Sequence, residues 1–234
     1  MTTIKYFSQF RQDEFVDKVV FNNMRGGFFV DIGAHDGLSL SNSLFFEKYR
    51  KFNGLCIEPN PNVYTKLKAH RKCMTLNVCI TETEQLVKFQ VVEGYAQMLS
   101  GIVDKYHRDH IERIDNYIME YGGTKAEIIV KGIPLQNIDL LNGISIDFLS
   151  IDTEGNELGI LRSIDFKKNY ITCLSVENNY NDEKIEQLMK ENEFLKVYRL
   201  GDDDIYLKKS KYSIGFRVRR RIFLWLSKRK KKHF

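Results

Sequence analysis

Acidic side chains recur at one kind of place in this sequence, the end of a short apolar run. Asp31 lies in Phe28-Phe29-Val30-Asp31-Ile32, and Glu58 closes Gly54-Leu55-Cys56-Ile57-Glu58. Asp152 closes Asp147-Phe148-Leu149-Ser150-Ile151-Asp152, and Glu177 closes a run from Ile171 and is followed by Asn178. Runs of this length and composition read as buried strands. In an open α/β sheet, ligands bind beyond the carboxyl ends of the strands. Carboxylates gathered there can accept hydroxyl hydrogen bonds, take up a proton or hold a hard cation.

The turn after the first run is Gly33-Ala34-His35-Asp36-Gly37. Gly33 and Gly37 let the backbone approach a ligand closely and take positive φ. Glu58 stands where a carboxylate takes the two hydroxyls of a ribose, as an acid does about 20 residues past the glycine loop of dinucleotide enzymes. A dinucleotide loop usually offers three glycines to a pyrophosphate. This loop has two, flanked by Asp31 and Asp36, which repel phosphate. A cofactor carrying an ammonium and a sulfonium matches better than a nicotinamide or flavin. A tight strand-to-helix turn that holds no ligand is the alternative.

A regular frame must position these groups. Residues 4–24 read as a leading helix, with Phe7, Phe10, Phe15, Val16, Val19 and Val20 at spacings of mostly three and four. Strands follow at 28–32, 54–58 and 74–80, with helices at 41–51 and 63–71 between them. This alternation implies a parallel sheet with right-handed crossovers. Residues 86–92 and 128–130 read as further strands. Residues 93–127 lack a clean apolar period and read as an insertion or lid. Strands at 147–152 and 171–177 alternate with helices at 157–163 and 182–192, and residues 195–200 and 204–207 read as a closing hairpin.

The chain has 234 residues, 43% hydrophobic and 29% charged, with 3 Pro and 15 Gly. That composition fits one globular domain with extensions and argues against long disorder. The net charge of +5 is uneven: from Lys208 onward no acidic residue occurs, so the preceding body is acidic to neutral. Cys56, Cys73, Cys79 and Cys173 form no CxxC pair and read as small buried hydrophobes in a reducing compartment. Met1-Thr2-Thr3-Ile4-Lys5-Tyr6 carries no apolar leader, and no stretch approaches a bilayer span, so a cytoplasmic protein is expected. The expected organisation is an N-terminal helical extension over 1–27, a catalytic domain over 28–209 and a basic tail over 210–234.

Several motifs in order resemble the FkbM family of methyltransferases, from about Ser8 to about Tyr180. They are Ser8-Gln9-Phe10-Arg11-Gln12-Asp13, Phe29 to Gly37, Ser41-Asn42-Ser43, Gly54 to Pro61, Met98-Leu99-Ser100-Gly101-Ile102 and, most specific, Asp147 to Glu157. The resemblance implies a Rossmann-like class I methyltransferase fold, α/β, with a mostly parallel seven-stranded sheet and helices on both faces. It implies S-adenosyl-L-methionine as donor and O-methylation, often of a sugar or glycan. Carried over by position, Asp31, Gly33 and His35 lie along the methionine part, Glu58 takes the ribose, and Cys79 and Ile80 lie near the adenine. Ser41 and Asn42 also fall at the cofactor. Residues 103–127 carry little over, because that region of the family is diverse.

Asp152, Glu177 and Asn178 sit on neighbouring strand ends and offer hard oxygen ligands that suit Mg²⁺ or Mn²⁺. Alternatively, Asp152 and Glu154 orient substrate hydroxyls without a metal, and Glu177 serves as a cap or a base. Methyl transfer from a sulfonium is an in-line displacement that needs a proton acceptor. Asp152 is the first candidate, with His107 or His110 of the lid next. The tail, Arg217 to Lys232, sets a short apolar core between basic blocks. It suits a solvated, partly ordered tail, an anionic membrane surface, docking of Ile222, Leu224 and Trp225 on the body, or nucleic acid. The competing functions are therefore a sugar O-methyltransferase, a nucleic-acid methyltransferase using the tail, and a non-catalytic binding module. The oligomeric state is not legible.

Overall fold

A computed structural model describes residues 4–230. In chain order its elements are α1 (Gln12–Phe15), a π-helical turn (Val16–Val20), β1 (Phe28–Ile32), α2 (Leu44–Arg50), β2 (Asn53–Ile57), α3 (Pro61–His70), β3 (Met74–Leu76), β4 (Cys79–Ile80), β5 (Gln85–Gly94), β6 (Gly101–Ile102), α4 (Arg108–Tyr121) and β7 (Gly123–Ile133). Then come β8 (Ile146–Ile151), α5 (Glu157–Arg162), β9 (Ile171–Glu177), α6 (Glu183–Glu191), β10 (Phe194–Leu200), β11 (Asp203–Lys208) and α7 (Ile214–Lys230).

The main sheet has seven strands in the order β10-β11-β9-β8-β1-β2-β3. β1 pairs in parallel with β2 and β8, β2 with β3, and β8 with β9. Only β11 runs antiparallel to its neighbours, so the sheet is mixed but mostly parallel. Its central strands are mostly apolar because both faces are covered. Phe29, Cys56, Phe148 and Cys173 face one way, against Phe15, Phe45, Phe46 and Leu67. Val30, Leu55, Leu149 and Leu174 face the other, against Ile160 and Leu161 of α5 and Ile185 and Met189 of α6. This alternation places Asp31 within β1 and leaves Glu58 and Asp152 one residue beyond β2 and β8.

Four expectations from the sequence are corrected. First, residues 4–11 are not helical. The Asp13 carboxylate accepts the Phe7 and Ser8 amides and the Ser8 hydroxyl, which gives this backbone partners that compete with a helix. Second, the run 74–80 is two strands. Asn77 breaks it by donating its amide to the Glu58 and Pro59 carbonyls, and β4 joins a second sheet of order β4-β7-β5-β6. Third, residues 93–127 include α4 and the start of β7. The helix escapes a periodicity search because it buries only a narrow stripe, with His110 and Ile114 inside. Fourth, the basic tail is largely α7, clamped to the body by Phe216 and Phe223, while Ile222 and Trp225 are exposed. Positions 1–3 of the N-terminal extension and 231–234 of the tail lie outside the described residues.

Candidate active site

The site begins where β1 ends. Gly33 has φ 84°, and a Cβ there would stand 1.7 Å from the Asp152 carbonyl oxygen. Only glycine fits, and the close approach locks the turn after β1 to the loop after β8. The Gly33 and Ala34 amides donate to the Ile57 carbonyl. Glu58 then clamps two loops: Oε2 accepts the His35 amide at 3.0 Å and Oε1 accepts the Asn60 amide at 2.9 Å. Burial is the main cause that raises Glu58 to about 7, and the nearby Asp31 adds to it. Asn60 also caps α3, with Pro61 in its first turn.

Glu58 lines a cleft at the carboxyl ends of β1, β2 and β8. Its apolar lining comprises Val63 and Val78 together with Cys79, Ile80, Phe89 and Ile102 of the second sheet. The Cys79 thiol is pushed up to about 12 by burial, which leaves it a neutral wall residue. Asn156 donates to the Ile80 carbonyl at 2.8 Å and fixes that strand against the loop after β8.

A second cleft adjoins the first, and Gly33, His35, Met98, Asp152 and Glu154 line both. It is polar and strongly acidic, with Asp31, Asp152, Glu154, Glu177, Asp202 and Asp203 in its wall beside Arg113. Burial raises Asp31, and Asp203 to about 6. Burial and like charge hold Asp152 and Glu177 well above the usual carboxylate range. His35 shifts the other way, kept neutral mainly by burial. Among the described residues, the buried side-chain polar atoms without a hydrogen-bond partner are both His35 ring nitrogens, Asn42 Oδ1, Glu154 Oε2, Glu177 Oε2 and Arg220 Nε. All but the last belong to residues lining this one cleft. Buried groups left unpaired by the protein mark where a ligand's polar groups belong.

Asp31 and Asn42 have secure anchors. Asp31 accepts the Ser43 hydroxyl, which Arg71 also contacts at 3.1 Å. The Asn42 amide donates to the Ser150 hydroxyl at 3.1 Å, which leaves its oxygen free. Ser41 lines the acidic cleft, but its hydroxyl accepts the Ser43 and Leu44 amides at the start of α2. Gly37 is a correction: it lines neither cleft. A Cβ on it would stand 2.6 Å from Arg71 and 2.7 Å from Leu67, so it serves packing on α3. Asp36 is engaged in its own turn, accepting the Leu38 and Ser39 amides.

The two histidines offered as candidate bases, His107 and His110, are separated by the fold. His107 is half exposed and caps α4, its Nδ1 accepting the Asp109 amide, and it lines neither cleft. One turn later, His110 is buried, with Nδ1 3.4 Å from Glu154 Oε2. Its Nε2 and the Tyr106 hydroxyl both reach the Leu99 carbonyl, at 3.0 and 2.9 Å. Burial raises Glu154 to about 7. The last correction is Asn178, whose Oδ1 accepts the Asp182 amide and whose Nδ2 donates to Asp204. Its side chain is committed away from the acids. Glu154 stands in its place: one carboxylate oxygen each from Asp152, Glu154 and Glu177 lie within 4.8 Å of one another. Glu157 knits the loop instead, accepting the Thr153 and Gly155 amides and the Thr153 hydroxyl.

Sequence reasoning missed the walls supplied by β5 and β6, and it missed Gln12, Arg113 and Asp203. The i, i+3 pair His110 and Arg113 on one helix face carried a signal once α4 is recognised. Gln12, which donates to Asp203 across 191 positions, lies in the Ser8–Asp13 motif, but nothing local to it points to that partner.

A family model described as the Methyltransferase FkbM domain matches residues 31–200. Among solved structures the chain is similar to methyltransferase FkbM from Methylobacillus flagellatus KT, with 15% identity and a TM-score of 0.44 over 78% of this chain. The matched region covers 43% of that protein, so the chain spans less than half its length. No curated protein matches the sequence.

Proposed function

Because the chain belongs to the family of FkbM methyltransferases, we propose that it transfers a methyl group from S-adenosyl-L-methionine to a hydroxyl oxygen of a sugar or glycan. The observation that carries this reading is the convergence of unpartnered buried polar atoms on an acid-lined cleft that opens into an apolar one. The apolar arm suits a nucleoside: Glu58 takes ribose hydroxyls, and Cys79, Ile80 and Phe89 enclose the base. The acidic arm suits cationic groups: Asp31 and Asn42 Oδ1 accept an ammonium, with Gly33 and His35 beside the sulfur. When bound, S-adenosyl-L-methionine supplies a methyl carbon on a positive sulfur, open to in-line displacement.

The remaining acids serve the acceptor. Asp152, Glu177 and Asp203 accept hydrogen bonds from its hydroxyls and orient one of them. Glu154, backed by His110, takes the proton as the new bond forms, because a base tuned near neutrality works best there. The acidic wall repels a phosphate backbone, which disfavours a nucleic-acid acceptor.

A second reading has one observation in its favour, the unpartnered oxygens of Glu154 and Glu177 beside Asp152. These three carboxylates fit a divalent cation, Mg²⁺ or Mn²⁺, which would hold and acidify the acceptor hydroxyl. One screen separates the readings. Nucleotide sugars and short glycans are offered with S-adenosyl-L-methionine, and S-adenosylhomocysteine is measured with chelator and with added Mg²⁺ or Mn²⁺. Turnover that survives chelation supports Glu154 as the base, and turnover lost to chelation and restored by metal supports the cation. A chain that binds the cofactor but methylates no sugar would exclude the acceptor class, and one that binds no cofactor would exclude the whole reading.

A further inference from the structure

Helix α7 has two apolar faces and uses only one of them on the body. Phe216 and Phe223 are buried against the sheet. Arg219 donates to the Val19 carbonyl at 2.8 Å, and Arg11 donates to the Ser227 hydroxyl at 3.2 Å, so the inner face is fixed. On the outer face Ile214, Val218, Ile222, Trp225 and Leu226 are exposed, from 48% to 71%. Their spacing of four, four, three and one sets them in one stripe along the helix. Arg217, Arg221 and Lys228 run beside the stripe, and Arg229 lies over the Trp225 ring at 3.8 Å. None of these four cations is ion-paired among the described residues, and α7 contains no acid.

We propose that the outer face of α7 docks on an anionic lipid surface, with the stripe in the headgroup region and the flanking cations on lipid phosphates. Apolar side chains including a tryptophan, edged by arginines and lysines and free of carboxylates, are what such a surface binds. The fixed inner face removes the usual cost of ordering the segment on binding. Arg11, at the far end of this helix, is next to Gln12 of the acidic cleft. Docking therefore holds the cleft beside the membrane.

Trp225 is the only tryptophan, so its fluorescence reports this face alone. The full chain is mixed with vesicles of phosphatidylcholine, with and without about a third phosphatidylglycerol, and emission and co-sedimentation are read. The expected result is a blue shift and capture on anionic vesicles, weakened at least tenfold by 0.5 M salt. A variant carrying Val218→Glu and Ile222→Glu keeps the reporter and should lose capture at least tenfold, with unchanged circular dichroism. Equal capture on neutral vesicles, capture without a blue shift, or full capture by this variant would overturn the proposal. So would tight binding of single-stranded RNA by a chain that leaves both vesicle types bare.

Discussion

His110 Nδ1 stands 3.4 Å from Glu154 Oε2, while Nε2 of the same ring stands 3.0 Å from the Leu99 carbonyl. A carbonyl only accepts, so Nε2 carries the ring proton and Nδ1 turns its lone pair toward the carboxyl. Burial lowers His110 and raises Glu154 to about 7. Near neutrality the ring is therefore uncharged and the carboxyl is poised between its two forms. As a base, Glu154 acts only when deprotonated, so turnover should rise with pH through about 7 and level off above it. Glu154→Gln should lower kcat by about 10²–10⁴-fold and flatten this limb. A steep limb retained in that variant would place the base elsewhere.

The two histidines of this region should separate cleanly. His107→Ala removes a helix cap at a half-exposed position and should cost about 0.5–1 kcal/mol with kcat within about twofold. His110→Ala opens the Glu154 carboxyl to water, and burial is the main cause that raises it. The rising limb of the pH profile should then move to lower pH, a change that a merely structural role would not produce. Equal profiles for the two variants would refute the pairing.

The strand ends were legible because buried parallel strands are apolar runs, and a polar residue at their close has few reasons to be there. Glu58, Asp152 and Glu177 were singled out in this way, and each lines a cleft. The side chain of Asn178 was not, since direction at a strand's end depends on the Asp182 turn and on Asp204, 26 positions away. His107 and His110 stayed alternatives because a sequence without a recognised helix cannot say which of two nearby imidazoles faces inward. The second sheet stayed hidden for a topological reason: β4 pairs with β7 across more than 50 positions of sequence. No local pattern encodes that pairing.

Cofactor affinity should depend on Glu58 and on pH. Ribose hydroxyls donate to the carboxylate form, so binding near pH 6 should release a proton, and affinity should rise with pH through about 7. Calorimetry in buffers of different ionisation enthalpy measures that proton. Glu58→Ala should weaken S-adenosyl-L-methionine about 10- to 100-fold, in line with about 1.5–3 kcal/mol for hydrogen bonds to a charged group. Undiminished binding would dislodge the ribose assignment.

The same raised acids set the stability of the ligand-free protein. A carboxyl whose folded pKa is raised contributes stability that is complete below its unfolded value and is lost as pH rises through the folded one. Asp31, Glu58, Asp152, Glu154, Glu177 and Asp203 all shift this way, and only His35 and His110 oppose them in the site. The melting temperature without ligand should therefore be higher at pH 5.5 than at pH 8. A cationic ligand should narrow the gap, because it favours the ionised acids. A melting temperature that rises steadily from pH 5.5 to 8 would contradict the crowded acidic cleft.

The two glycines of the turn after β1 should behave differently. Gly33→Ala meets both a positive φ and the backbone oxygen of Asp152, which cannot move without breaking the β8 loop, so a loss above about 4 kcal/mol is expected. Gly37→Ala, at φ 77°, meets only the side chains of Arg71 and Leu67, and about 1–2 kcal/mol is expected for its left-handed backbone. Cofactor affinity should be retained in the folded Gly37→Ala protein, because this residue lines neither cleft. A large loss of affinity there would return Gly37 to the binding site.

Helix α7 should prove part of the domain's core on one side and independent of it on the other. Phe223 is 8% exposed, meets Phe15 edge-on at 5.4 Å and lies under the Arg11 guanidinium at 5.0 Å. Phe223→Ala removes a buried ring from that stack and should cost about 3–5 kcal/mol, read as a fall in the denaturation midpoint. Trp225→Ala, two residues away on the outer face, should change stability by less than about 0.5 kcal/mol. The contrast follows from a helix that turns its side chains through about 100° per residue, so that neighbours in sequence serve opposite surfaces. Equal effects of the two substitutions would mean that α7 is not seated by its Phe216–Phe223 face, and the outer stripe would then have no fixed platform.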